Sequence, residues 1–402
     1  MSPHAPAPSP VRTVARRVVR VLGSFHLAVS IFALMFVVVL VGTLQQRVMS
    51  LYDVQRAYFE AYAFTVPLFG VVPLPLPGGA TLIVALAVNL LVGGVLRMRI
   101  GRSTLGVLVT HVGILVLFVG SAVEWKGSAK GNVRLREGEA SSAFESYTDW
   151  ELAVVDVAAR KEHVVPQADL ERGADGRAAT FASAALPFDV VVTAWTRNTD
   201  ARRASRAGEG AEGLVLVALA DDPKQAEANV PGCYVEARPR DGGAGSKGIL
   251  WGRAEAPYAV EVGGRAFAFE LRRQSWGLPF TLRLDRAVAF EHPGTDIPKE
   301  YSSYVTRLGG GVERAVHVTM NAPMREAGHT FYQSSYGRES DGRIFSGFAV
   351  VRNPSDRVPI VACSILGVGM TLHFLRKLRR HVASQSAAAP RRGGAVAAGG
   401  RA

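Results

Sequence analysis

Cysteine is nearly absent from this 402-residue sequence: there are two, Cys233 and Cys363, and no CxxC or CxxCH occurs. That excludes a disulfide framework, a thiol oxidoreductase and a covalent c-type haem site on this chain. Local signatures of common hydrolytic and phosphoryl-transfer sites are missing too. There is no HExxH, GxSxG or P-loop, and no paired-carboxylate pattern. The five tryptophans, Trp125, Trp150, Trp195, Trp251 and Trp276, stand far apart, so no tryptophan-rich segment could cradle haem. Acidic residues are absent from three stretches, 1–24, 97–104 and 376–402, which together hold 14 of the 46 Lys and Arg. The rest of the chain is slightly acidic, so the net charge of +12 comes from these short flanks. A basic balance of that kind speaks against nucleic acid as a partner. It fits the rule that Lys and Arg mark the cytoplasmic ends of membrane spans.

What the chain has in plenty is uncharged apolar sequence. Phe25–Leu44, Ala80–Leu96, Ser103–Val123 and Val358–Phe374 carry no Asp, Glu, Lys or Arg. Runs of about 17–25 such residues span a bilayer's hydrocarbon core as helices. The first is too long for a signal-peptide core and reads as a retained anchor. The expected organisation is a cytoplasmic basic N-terminus (1–24), a first span (25–44), an outer interfacial loop (45–79) and a second span (80–96). A cytoplasmic turn (97–102) and a third span (103–123) follow. After them come an extracytoplasmic β-rich domain (124–357), a fourth span (358–374) and a cytoplasmic disordered tail (375–402). Tyr52, Tyr58, Phe59, Tyr62, Phe64 and Phe69 suggest an aromatic belt at the membrane interface. Pro67, Pro73, Pro75, Pro77, Gly78 and Gly79 suggest a break in regular structure. Asn89 in the second run is expected to bond a neighbouring helix, and Gly106, Gly113 and Gly120 form a stripe for close helix approach.

Between the third and fourth runs the period changes from helical to alternating. Tyr258/Val260/Val262, Phe267/Phe269/Leu271 and Phe280/Leu282/Leu284 read as half-buried strands, with Val262-Gly263-Gly264-Arg265 as a hairpin turn. Further strands are expected at Leu152–Val157, Val190–Trp195, Leu214–Leu219, Ala315–Met320 and Phe345–Val351, with a mobile loop at Thr199–Gly213. The fold class is thus an integral membrane protein, four transmembrane α-helices plus a large antiparallel β-rich domain between the third and fourth.

His111 is out of place in the third run. It lies about two turns in from Arg102, and neither lipid nor a saturated helix backbone satisfies an imidazole there. Two readings stay open on these residues alone: a structural histidine bonded to another helix, or a ligand to haem or metal. A second ligand would have to come from another helix or protein, because no histidine lies three or four residues away. His26 reads as interfacial. His163, His292, His317 and His329 are scattered through the β-rich region and read as surface or strand residues. Cys363, within an apolar run, reads as a small hydrophobe.

Several stretches carry a resemblance: GTLQQ at 42–46, AVNLLVGGVLRM at 87–98, THVGILVLFVGSAVEWKG at 110–127, NVRLREGE at 132–139 and LPFDVVV at 186–192. They continue with HPGTDIPKEYSSYV at 292–305, NAPMREAGHTFYQSSYG at 321–337 and GFAVVRNPSDRVPIVACSILGVGM at 347–370. In this order they resemble the ResB (CcsB-type) family of cytochrome c biogenesis, the system II machinery. The resemblance implies a partner, a ResC/CcsA-type multi-span protein with a tryptophan-rich haem segment. It also implies apocytochrome c as the acceptor and haem b as transient cargo. It places the family's intramembrane axial haem ligand on His111. The expected function is a subunit of the complex that moves haem outward and joins it to apocytochrome c. It would be part of a holocytochrome c synthase and no enzyme alone, set in the bacterial inner membrane with both termini cytoplasmic. The alternative is a non-catalytic assembly factor or chaperone for apocytochrome c with no haem ligand. A membrane-anchored enzyme with its site in the β-rich region lacks any clustered nucleophile, acid–base pair or metal motif.

Overall fold

Charge-free runs fold into helices because only intrasegment bonding satisfies their backbones without water. In the computed structural model, which describes residues 10–68, 72–206, 210–295 and 298–388, four helices are long and apolar enough to cross a membrane. They are α2 (Phe25–Gln45), the span Gly79–Leu96, α5 (Leu105–Gly127) and α7 (Val358–Ala388). The N-terminal part of the basic flank and the last part of the tail, 1–9 and 389–402, lie outside the described residues. Two compact units divide the chain.

The helical unit comprises 1–43, 56–126 and 355–402. Its first element is α1 (Pro10–Leu22), which ends two residues before α2 begins. The span Gly79–Leu96 is α4 (Gly79–Asn89) continued by a π-helical segment, Leu90–Leu96. Asn89 does bond a neighbour: its Nδ2 donates to Leu22 O at 2.6 Å and to Ser24 O at 3.0 Å. Where the prolines suggest a break in regular structure, Ala63–Leu68 pairs antiparallel with Val72–Pro77; Phe69 lies outside the described residues. The prolines are tolerated because each strand has only one partner and need not donate on its free side. The last helix is also longer than expected. It runs to Ala388, so residues 375–388 are helix and not disordered tail.

The glycine stripe of α5 is filled from within the chain. A Cβ on Gly106 would lie 2.7 Å from His373 N and 2.8 Å from Gly369 O, and one on Gly113 would lie 2.9 Å from Leu366 Cγ. Gly120 faces Val358, and a Cβ on Gly369 would lie 2.6 Å from Thr110 N. The backbones of α5 and α7 therefore meet along this seam, in the small-residue packing that glycine permits.

The β-rich unit comprises 44–55 and 127–354, and every strand pair in it is antiparallel. Two long strands, Ala140–Asp156 and Arg265–Glu291, pair along most of their length and serve two cores. At one end Leu152, Val154, Phe267, Phe269 and Leu271 pack on Phe188, Val190, Val192 and Val235 of a second, four-stranded sheet. The expected turn at Val262–Arg265 is present, with Gly263 and Gly264 at φ 60° and 74°, the left-handed values a two-residue turn of this type requires. At the other end Phe144, Leu282, Leu284, Val305, Phe331 and Phe348 form a core from the ten-stranded sheet alone. That sheet curls on itself. Ser303 Oγ donates to Gln333 Oε1 at 2.7 Å and lies 2.8 Å from Ser346 Oγ, although four strands separate it from the strand of Gln333 in the sheet order and three from that of Ser346.

Two segments differ from expectation in this unit. Thr199–Arg203 is a strand paired with Leu214–Ala218, so it is not part of a loop. The segment after α2 joins the β-rich unit: α3 (Leu51–Val54) has Val54 fully buried, and Asp53 accepts from Arg197 Nη2 at 2.9 Å. A short helix, α6 (Gln167–Leu170), packs Leu170 into the first core.

Cys233 is wholly enclosed in that core, and burial pushes its thiol up to about 12. A thiol in that state neither titrates nor reacts near neutrality. Cys363 lies on α7 in the other unit, exposed along the helix surface. In the folded protein a small thiol reagent is therefore expected to label Cys363 and to leave Cys233 unmodified until the β-rich unit is unfolded, as read by mass spectrometry; labelling of Cys233 in the folded protein would overturn its burial.

Candidate functional site

The imidazole of His111 sits in the second turn of α5, half-buried, against the π-helical segment of the preceding span. Its Nδ1 is 2.8 Å from Gly94 O. A carbonyl only accepts, so Nδ1 carries the proton and Nε2 is left as the unprotonated nitrogen with a free lone pair. Nε2 has no hydrogen-bond partner among the described residues.

That carbonyl is open to a side chain because the helix is irregular there. In an unbroken α-helix Gly94 O would accept from Met98 N. Here Met98 N donates to Val95 O at 3.3 Å, and Arg97 N donates to Val92 O, five residues back, at 3.1 Å. Such π-segments recur at functional sites. The residue at 94 is as constrained as the carbonyl. A Cβ there would lie 2.6 Å from His111 Nδ1 and 3.1 Å from Cε1, so only glycine admits the ring. Gly93, next to it, meets Gly23 backbone to backbone, which fixes the segment against the break between α1 and α2.

An imidazole oriented by a backbone acceptor at Nδ1, with Nε2 free, is the usual state of a histidine that ligates iron or zinc. The donor set fits a haem ligand in chemistry. It does not fit a self-contained metal site, because no group of three or more His, Cys, Asp or Glu among the described residues could hold an ion. The glycine stripe, expected to admit a close helix approach, is occupied by α7 and leaves no gap there for a macrocycle.

His163 and His317 lie on strands of the β-rich unit, where His317 Nε2 bonds Ser302 Oγ and its ring stacks on Tyr304 at 4.4 Å. His329 is buried beside Phe144, with Nδ1 2.9 Å from Ala327 O. His26 is exposed at the start of α2, and His292 is exposed after the long strand. Besides His26 and His111, a further histidine stands on a spanning-length helix, His373 of α7, which sequence reasoning missed. It packs its backbone on Gly106, about one and a half turns from the level of His111. The signal was a lone imidazole within the otherwise uncharged run Val358–Phe374.

No curated protein matches the chain significantly. The model of the ResB-like family, a family linked in general to cytochrome c biogenesis, matches residues 255–344. This is the stretch from the Tyr258–Val262 strand into the curled sheet, and the match agrees with the ResB resemblance read from the sequence.

Proposed function

We propose that this protein is a subunit of a membrane assembly that carries haem across the bacterial inner membrane and attaches it to apocytochrome c, the system II route. His111 holds the haem iron from one side through Nε2. A ResC/CcsA-type multi-span protein supplies the other ligand and the tryptophan-rich surface that this chain lacks. Haem b is cargo here and leaves with the product. The observation that carries the reading is the His111–Gly94 pair. A bond to a freed carbonyl, on a residue that must be glycine, holds the ring with its lone pair unused.

The β-rich unit is then extracytoplasmic and docks the partner or the apocytochrome. All three acid-free basic flanks face the cytoplasm by the charge rule. Single cysteines near residues 150 and 300 are expected to react with an impermeant thiol reagent from outside intact spheroplasts, and cysteines near 13 and 385 only after lysis. The reverse pattern would sink the arrangement. Haem is expected to co-purify with the intact assembly from membranes.

The second reading, an assembly factor with no haem ligand, has one observation in its favour: the chain's own α7 fills the glycine seam. On that reading purified assembly carries haem only on the partner, and changing His111 leaves its amount unaltered.

A further inference from the structure

α1 is cut off from α2 by a fully capped break, which makes it a separate element and not a kinked end of the span. Gly23 N donates to Val19 O and Ser24 N to Val21 O, each at 3.1 Å, closing the end of α1. Ser24 Oγ accepts from Leu27 N at 3.2 Å and so caps α2. Side chains of the second span bond carbonyls at the break. Asn89 Nδ2 bonds Leu22 O and Ser24 O, while Arg97 Nη1 reaches Arg20 O at 3.3 Å and Gly23 O at 3.4 Å. A guanidinium at a helix C-terminus also complements its dipole.

The sequence of α1 is sorted by face. At about 100° per residue, Val14, Val18, Val21 and Leu22 fall within one arc of about 100°, and Thr13, Arg16, Arg17 and Arg20 fall within the opposite one. No Asp or Glu interrupts either arc. The three valines remain 62%, 50% and 56% exposed. An apolar face left open, with a purely cationic face behind it, is unstable in water and is not needed for a solvated tail.

We propose that α1 is an interfacial helix. It lies in the cytoplasmic leaflet, with Val14, Val18 and Val21 among the acyl chains and Arg16, Arg17 and Arg20 on anionic lipid headgroups. Three features of the molecule select that occupant over a protein partner. The helix is tied within two residues to an apolar span. Its polar face carries one sign of charge only, complementary to an anionic leaflet. Carbonyls at its end are clamped by Asn89 and Arg97 of the neighbouring span, which fixes that end against the span's last two turns. Such helices sink their apolar face about 5–10 Å into the headgroup boundary. The clamp then couples the leaflet to the Gly93–Gly94 segment, because Gly23 rests on Gly93.

The inference rests on α2 crossing the bilayer, so the test carries its own control. Full-length protein, in the Cys233→Ala, Cys363→Ala background, is reconstituted in nanodiscs with or without anionic phospholipid. Val18→Cys, Arg16→Cys and Phe36→Cys each receive an environment-sensitive fluorophore, and acyl-brominated lipid serves as quencher. Phe36, in the middle of α2, is expected to be quenched in both lipids; if it is not, the spanning reading itself fails. With Phe36 quenched, the label at Val18 is expected to be quenched severalfold more than the label at Arg16 in anionic nanodiscs. Arg16→Glu, Arg17→Glu and Arg20→Glu together are expected to abolish the difference. Equal exposure of Val18 and Arg16 in anionic nanodiscs would overturn the interfacial placement. Equal quenching of Val18 with and without anionic lipid would overturn the role of the headgroups.

Discussion

Replacing His111 by glycine is expected to remove haem from the assembly and stop cytochrome c maturation while the protein still accumulates. The loss is chemical before it is structural. The ring makes one hydrogen bond, to Gly94 O, and an ordinary bond of that kind contributes about 1 kcal/mol to stability. On the proposed role the iron, by contrast, would lose a whole ligand. The hole left has the shape of an imidazole, with the Gly94 carbonyl still in place to bind Nδ1 of a free one. Added imidazole is therefore expected to restore part of the haem absorbance and part of the maturation. Gly94→Ala keeps both groups but places a methyl where the ring stands, and is expected to weaken haem retention by about 10–100-fold, the usual range for orienting partners of a ligand. Haem spectra of the purified assembly read all three outcomes. Wild-type haem content in the His111→Gly assembly would end the ligand role.

The second large effect is expected in the β-rich unit, from Arg272→Ala. Glu151 is 3% exposed, and its Oε1 accepts from Arg272 Nε at 3.0 Å and Nη2 at 2.9 Å. Arg272 also reaches Glu162 at 2.6 Å. Burial holds the Glu151 carboxyl above the usual carboxylate range, with Arg272 pulling the other way. Removing the guanidinium leaves a buried carboxylate without its partner, a change that costs about 3–5 kcal/mol in such sites. The pH dependence has a definite sign. A carboxyl whose folded value lies above its unfolded one contributes stability below the unfolded value, about 4.3, and loses it as pH rises through the folded value. The deficit of Arg272→Ala is thus expected to be smallest in acid and to widen toward neutrality. Urea unfolding followed by Trp150 and Trp195 fluorescence measures it, since both rings lie in the same core. Arg272→Met with Glu151→Leu should recover most of the loss, as apolar replacements of buried pairs do. A deficit independent of pH would mean that packing by the arginine stem, and not the charge, is what matters.

Much of this architecture was legible because its signals are local. The four apolar runs, the alternation at 258–262 and 267–271, and the Gly263-Gly264 turn each specify an element from within a few residues. Asn89 and His111 were conspicuous because a polar group in an apolar run needs a partner. Their partners were not legible, since both are backbone carbonyls, which carry no side-chain signature. The Gly93-Gly94 pair passes in the sequence as ordinary apolar helix, because whether a surplus residue frees Gly94 O depends on how α4 meets α5. The glycine stripe announced a close approach without saying by what. Alternation could not reveal that Arg265–Glu291 is one strand serving two cores, because its register shifts near Ser275 and Leu282 are set by the partner strand. Burial of α3 was hidden for the opposite reason. Tyr52 and its aromatic neighbours look the same whether they meet lipid or a β-sheet.

The seam between α5 and α7 also sets an order of events during synthesis. Its two sides are separated by about 230 residues of mostly β-sheet sequence. Until α7 emerges, Gly106, Gly113 and Gly120 have no intramolecular cover, while the earlier Gly94 seat for His111 can already close. Long-separation contacts of this kind are the slowest to form. The nascent chain therefore passes through a stage with the imidazole in place and one flank of its helix bare. A ribosome-bound chain halted before Val358 would expose that flank to crosslinking from Gly113, and a completed chain would not.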